Sequence, residues 1–490
     1  APSPASCAAL ALADGAEAAR ELRSLVDRVD VADSELLYQS QQQGMALAEA
    51  VARCGTRAER DAVLRAAAAL VAALPTAGQM AEKSAVTRWG AGLELLSPSL
   101  TRLRQRLGAL PFSVDGLPVP GGEPRGRRIF PTLAGERVVV MSEVEMQYAY
   151  LLSTVVRLEA ADAAAASPAA VRDLAALYGF LLRDKVRFYW DEAPAWHWSG
   201  PFPDMRTRVR AKLAGRDARV TEPAWFGAII DHELHLFGVA ADLEAARRAS
   251  PALAGITPVA DVAMLHEIRA TALDVLRRRV AGGPSGDGFL LDFGRWTSNP
   301  SYAYAGCTVS RPLPAAPCPV DSVATDVSHA LRWPWWLRSQ VASWPAGSAP
   351  AAEVEAYRGR LARQLAVRVL YLDSAGRPLT RTYMDGRDGW YRLREFPDHP
   401  WGNGPSTLTG SMRYGSWALL SPLDARIARA HRAFCAVLVS DDPTDVTFRT
   451  RYYGSPSDRP ELGGLGETDL YGPGSLYALT CRIGRAFGLH

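Results

Sequence analysis

An all-α fold is predicted for this chain of 490 residues, and three observations carry that reading. Apolar residues recur at the three-to-four spacing of an amphipathic helix over most of the length. Strand-type alternation is confined to a few short stretches. The first 180 residues are mostly Ala, Leu, Val, Arg and Glu, a helix-forming scaffold with few groups able to move a proton near neutral pH. A helix pair of roughly 40–50 residues recurs without exact repetition, which suggests an α/α array.

The periodicity predicts helices over 32–53, 59–74, 141–158, 169–189, 223–248, 259–280, 323–342, 352–372 and 422–438. Start signals agree: Ser167-Pro, Thr221-Glu-Pro and Asp326 each stand at the head of a segment. Strands are expected at 137–140 and 446–451, and 366–372 reads equally as strand or helix. Residues 1–112 form an N-terminal helical part, 113–135 a Gly/Pro-rich loop, and 136–490 the main part that carries the site.

Composition narrows the function classes. A hydrophobic fraction of 48% and a charged fraction of 22% fit a globular protein, and no apolar run is long enough to span a bilayer. A net charge of +3 is too weak and dispersed for a nucleic-acid partner, yet it would not repel an anionic polymer. The six cysteines contain no CxxC pair and suit an oxidising compartment. Sequential pairing gives Cys7–Cys54, Cys307–Cys318 and Cys435–Cys481, one of several arrangements. The opening Ala-Pro-Ser-Pro-Ala-Ser resembles a mature N-terminus after signal cleavage, so a secreted or periplasmic monomer is expected.

The chemistry-bearing residues lie late in the chain. All eight histidines fall at or beyond His197, and of thirteen tryptophans only Trp89 precedes Trp190. The densest stretch, 294–344, holds Asn299, Tyr302, Tyr304, His329, Arg332 and Trp333. Amide and guanidinium groups can neutralise a carboxylate, phenol and imidazole can transfer protons, and indoles stack on sugar rings. His329 and Arg332 are one helical turn apart and so share a face. Asn299-Pro is also a turn signal, and His329 could instead be a buried histidine held by Asp326 or Ser328.

Other clusters offer supporting groups. Trp196, His197 and Trp198 could form a stacking subsite, with Arg206 placed to meet a carboxylate, or could anchor an ordinary loop. Asp231-His-Glu-Leu-His lacks the spacing of a zinc-protease helix, so His232 and Glu233 are read as cavity-facing or structural and no metal is assigned. Asp385-Gly-Arg-Asp-Gly-Trp-Tyr and His399-Pro-Trp-Gly, with Trp401, suit loops around a cleft mouth. No phosphate loop or G-x-S-x-G elbow is present, and no cofactor is expected.

Tyr414-Gly-Ser-Trp-Ala-Leu-Leu, Tyr471-Gly-Pro-Gly-Ser-Leu-Tyr-Ala-Leu and Asp326-Val-Ser-His-Ala-Leu-Arg resemble inner-helix openings of secreted (α/α) toroids. Such toroids, incomplete α/α barrels with few strands, are used by alginate-lyase-like and heparinase-like polysaccharide lyases and by several glycoside hydrolases. The resemblance covers roughly residues 180–490. It implies a lyase acting on a uronic-acid-containing polysaccharide by β-elimination. Asn299 and Arg332 would neutralise the carboxylate, and Tyr302 or Tyr304 with His329 would supply acid and base. The alternative is an inverting glycoside hydrolase on the same fold, with its carboxylate pair drawn from Asp231, Glu233, Asp326 and Asp385.

Overall fold

The computed structural model describes residues 12–27, 34–76, 112–114, 126–130, 132–134, 137–195, 202–215, 223–283, 286–395, 402–454 and 476–486. Helices dominate these residues and the strands are few and short. The chain opens with α1 (Leu12–Asp27), α2 (Ser34–Cys54) and α3 (Arg57–Ala73). A capping box starts α3: the Thr56 hydroxyl accepts from the Glu59 amide, and the Glu59 carboxylate accepts from the Thr56 amide at 2.7 Å. Strands β1 (Phe112–Val114), β2 (Thr132–Ala134) and β3 (Arg137–Val140) make a small sheet. There β3 lies between a parallel β1 and an antiparallel β2.

Next come α4 (Ser142–Ala160) and α5 (Pro168–Phe180), which widens into a π-helical stretch over Leu181–Glu192. Helices α6 (Met205–Leu213), α7 (Asp231–Ala249), α8 (Pro251–Ile256) and α9 (Val259–Arg279) lead to a short hairpin of β4 (Val280–Ala281) and β5 (Leu290–Leu291). Beyond a long loop lie α10 (Val327–Ala330), α11 (Trp333–Ser343) and α12 (Ala349–Gln364). The pair β6 (Leu370–Leu372) and β7 (Pro378–Thr380) precedes α13 (Ala425–Val439), α14 (Pro443–Tyr452) and α15 (Leu476–Ala486).

Helices α4 and α7 pack against each other at the centre, with α2 against α4 and α11 against α7. Each central helix has sixteen of its nineteen residues buried. Enclosed on all sides, they lack the solvent stripe of a surface helix. They approach closely at Gly238, where a Cβ would stand 2.6 Å from the Tyr150 ring. The Tyr150 hydroxyl then meets the Ser339 hydroxyl of α11 at 2.9 Å, so one phenol joins three helices. A single apolar cluster runs from Ala18 to Ile483 and includes Ile129 and Phe130.

Most helical periodicity translates directly into helix, and two differences have identifiable causes. The expected helix over 323–342 is two helices, because Asp326 caps α10 and Pro334, which has no N–H, sits in the first turn of α11. Residues 446–451 are helical rather than extended, since Asp442 caps α14 and Pro443 opens it. The 366–372 stretch is helical to Val369 and extended from Leu370. The expected Gly/Pro-rich loop over 113–135 includes strand segments, and Arg127 within it is buried.

Cys307–Cys318 and Cys435–Cys481 are disulfide-bonded as the sequential pairing predicts. Cys7, the expected partner of Cys54, lies outside the described residues. No described helix is long and apolar enough to cross a membrane.

Replacing Gly238 with Ala would drive a methyl group into the Tyr150 ring. The expected cost is about 1–3 kcal/mol of unfolding free energy, read from denaturant midpoints. A variant as stable as the parent would mean that the α4–α7 contact is not close-packed at this point.

Candidate functional site

The site is organised by Asp326, which is fully buried. Its neighbours fix it by strand-like pairing: the Val327 amide donates to the Thr382 carbonyl and the Met384 amide to the Thr325 carbonyl, both at 3.0 Å. The carboxylate caps α10 by accepting from the Ser328 and His329 amides at 3.0 and 3.2 Å. It also accepts from the Ser328 hydroxyl, from the Tyr302 hydroxyl at 3.1 Å, and meets His329 Nδ1 at 2.8 Å. One ring nitrogen of His329 is thereby held, and among the described residues no partner takes Nε2.

A cavity of about 350 Å³ opens beside this dyad. Trp225 comes from a 3₁₀ turn, and Ile230, Asp231 and Leu234 from the start of α7. Glu143 at the start of α4 also lines it. The 291–302 loop supplies Leu291, Trp296, Asn299, Ser301 and Tyr302. Thr325, His329 and Trp333 form another wall, and Tyr391, Arg392 and Glu395 complete it. Tyr302 stacks under Trp296 with centroids 5.6 Å apart and meets Tyr391 edge-on at 5.3 Å. Tyr391 stands 6.0 Å from the His329 ring.

Two devices hold the far wall. Gly389 lets the chain before Tyr391 run against the 302–305 loop, since a Cβ there would lie 2.0 Å from the Ala305 carbonyl oxygen. The Trp390 amide then donates to the Tyr304 carbonyl at 3.2 Å. The Cys307–Cys318 disulfide braces the same loop, with the Cys318 amide donating to the Ala303 carbonyl at 3.1 Å.

The cavity has strong and opposed electrostatics. Burial works against the His329 imidazolium, but the Asp326 carboxylate bonded to it prevails and Asp231 adds to it, raising its pKa to about 9. Burial also works against the charged form of Asp326, yet His329 holds that carboxylate down at about 2. Burial drives Asp231 up to about 7, with His329 opposing and Glu143 and Asp326 adding. The Arg332 guanidinium bonded to Asp231 pulls the other way. Burial, then the Asp326 charge, push the Tyr391 and Tyr302 phenols well above their ordinary value of 10.

Of the residues expected to act, Asn299, Tyr302, His329 and Trp333 meet at this cavity. The Asn299 side-chain oxygen accepts from the Ser301 amide at 2.9 Å, so the residue forms a turn and also lines the cavity. Tyr304 instead packs with Trp390, Leu393 and Cys307 beside the disulfide. Arg332 is buried behind the cavity on Asp231 rather than lining it. Arg206 pairs with Asp191 and Glu267 at 2.6 and 2.7 Å, away from the cavity wall.

Glu233 and His232 belong to a buried knot: Glu233 accepts from Arg208 at 2.9 Å and from Lys212, and His232 lies beside Arg208. Burial lowers Lys212 to about 8 although Glu233 opposes it. Trp196, His197, Trp198 and Trp401 lie outside the described residues. No group of three or more His, Cys, Asp or Glu suited to a metal ion occurs among the described residues.

Several wall residues were not singled out as acting groups: Glu143, Trp225, Trp296, Arg392 and Glu395. Tyr391 had a signal, as the last residue of the Asp385-Gly-Arg-Asp-Gly-Trp-Tyr run, and so did Asp231, at the head of the His-rich one. No family model matches the chain, and neither a curated protein nor a solved structure matches it.

Replacing Asp326 with Asn removes the charge that stabilises the His329 imidazolium. The His329 titration followed by NMR should fall from about 9 toward the unperturbed value of about 6.5. An unchanged midpoint would show that Asp326 does not set the protonation of this ring.

Proposed function

We propose that this chain is a polysaccharide lyase that cleaves a uronic-acid-containing glycan by β-elimination, built on an α/α toroid scaffold and acting outside the cytoplasm. The observation that carries this reading is a His–Asp dyad and a second phenol, Tyr391, meeting in a cavity walled by three indoles. Flat faces of Trp225, Trp296 and Trp333 suit pyranose rings. The two disulfides are compatible with an oxidising compartment.

In this reading Asp326 holds Nδ1 of His329, and Nε2 takes the proton from C5 of the uronate. The electron pair passes into an enolate on the carboxylate, whose charge the Asn299 amide meets. It then forms the C4–C5 double bond as the C4–O bond breaks, and Tyr391 gives its proton to the departing oxygen. Tyr302 has a supporting part, with its hydroxyl bonded to Asp326 and its ring under Trp296. Arg332, anchored on Asp231, neutralises a protein carboxylate instead of the substrate's.

A base with a pKa of about 9 is mostly protonated at neutral pH. Its active form grows about tenfold per pH unit and levels off above that value. Tyr391 keeps its proton over the same range. The rate should therefore climb with unit slope from pH 7 and level off near 9. His329→Ala and Tyr391→Phe should each lower kcat by about 10²–10⁴-fold, whereas Tyr304→Phe should leave it unchanged.

The test is incubation with alginate, glucuronan, heparin-like and neutral glucans, following ultraviolet absorbance beside reducing ends. Elimination creates a conjugated double bond and hydrolysis does not. A second reading, an inverting glycoside hydrolase, is favoured by the place of Asp231 on the cavity wall, where burial pushes its carboxyl upward toward the range of a general acid and the bonded Arg332 opposes the shift. Glu143 and Glu395 would then be the candidate bases. Reducing ends without absorbance, abolished by Asp231→Asn and retained by His329→Ala, would replace the lyase assignment.

A further inference from the structure

The wall formed by Arg392 and Glu395 has no part in the proton transfers of the lyase reading. Arg392 is held with φ at +60°, a left-handed backbone that a long side chain seldom adopts. Its amide donates to the Ser301 carbonyl at 2.8 Å, which ties this strained residue to the loop carrying Asn299 and Tyr302. Its side chain lines the cavity and stays 51% exposed, so the guanidinium is not sequestered as that of Arg332 is. Glu395 closes the arrangement: its carboxylate accepts from the Ser301 hydroxyl at 2.7 Å and lies 3.0 Å from Arg392 Nε.

On the lyase reading, we infer that Arg392 is the residue that selects an acidic sugar, and that Glu395 is an internal competitor that holds the guanidinium until a substrate carboxylate takes it over. A guanidinium offers its N–H groups as a fork that matches a carboxylate, and Glu395 approaches it at Nε. The remaining donors are left for a second carboxylate entering the cavity. Strain at Arg392 serves this purpose by fixing the direction from which the fork meets the ligand, which a relaxed arginine on a helix would not do. The exchange also limits affinity, because the entering carboxylate must compete with one already in place. Glu395 is thus a positioning residue and Arg392 the group that touches the ligand.

The experiment is ligand-observed NMR titration of the full chain with D-glucuronate, its methyl ester and D-glucose, with unfolding temperature as a check on folding. Glucuronate should bind at least tenfold more tightly than the two neutral sugars. Arg392→Gln should remove that preference and leave the neutral sugars unchanged, and Arg392→Lys should keep part of it. Glu395→Gln still offers an oxygen to Ser301 but releases Arg392, and glucuronate affinity should rise severalfold.

Equal binding of all three sugars to the parent would overturn the role of Arg392 and leave the carbohydrate reading intact. Equal weakening of all three by Arg392→Gln would do the same. Weaker glucuronate binding by Glu395→Gln would remove Glu395 as competitor. Failure of every sugar to bind would remove the carbohydrate reading, and this inference with it.

Discussion

Helix α7 is enclosed on all sides and yet carries four buried carboxylates, and much of the architecture follows from satisfying them. A buried carboxylate without a partner costs several kcal/mol, so each must meet a cation or a set of donors. Asp231 takes Arg332, at the junction of α10 and α11. Glu233 takes Arg208 and Lys212 from α6. Asp242 takes Arg157 of α4 at 2.6 Å, with the Ser153 and Thr154 hydroxyls beside it. Glu244 takes Arg247 within its own helix and His266 and Arg269 from α9. Apolar packing alone would tolerate sliding of one helix along another; these pairs fix rotation and height together. α4 repeats the device at Glu145, with Arg127 and Lys185.

The candidate site lies where this arrangement meets the loops. Asp231 is the first residue of α7 and the only one of its four carboxylates on the cavity wall. Across the cavity Asp326 does for the loops what α7 does for the helices. It gathers two backbone amides, two hydroxyls and an imidazole around one fully buried carboxylate. The consequence is a histidine held in a single orientation and a basicity set by its partner instead of by solvent. Both halves use buried charge, and both leave one group facing the cavity.

Most of the helical scaffold was legible because periodicity is a local signal. Asn299, Tyr302 and His329 were legible too, because uncommon side chains stand close together in one loop-and-helix segment. Arg332 stands off the cavity wall, where the shared-face argument had presumed an uninterrupted helix and Pro334 opens a new one. That Tyr391 and not Tyr304 lines the cavity was beyond the sequence. It depends on how the 386–391 chain lies against the 302–305 loop, a contact allowed by the missing Cβ of Gly389. In Asp231-His-Glu-Leu-His the histidines drew notice, but a rotation of 100° per residue decides which side chains face the cavity, and those are Asp231 and Leu234. Arg392 carried no signal, since a left-handed arginine is a product of the folded surroundings.

The cavity takes its wall from residues as far apart as Glu143 and Glu395, and its two halves are joined by pairing of 325–327 with 382–384. Such long sequence separations make loop closure costly until most of the scaffold is in place. α4 and α7 can bury their shared face well before Tyr391 has been synthesised, whereas the His–Asp dyad has no fixed partner for Thr325 or Val327 until 382–384 arrives. Assembly is therefore ordered by chain length: the framework can set first, and the reactive surface is completed late, during or after passage of the nascent chain out of the ribosome. A cavity built this way is incomplete for most of the chain's own biosynthesis.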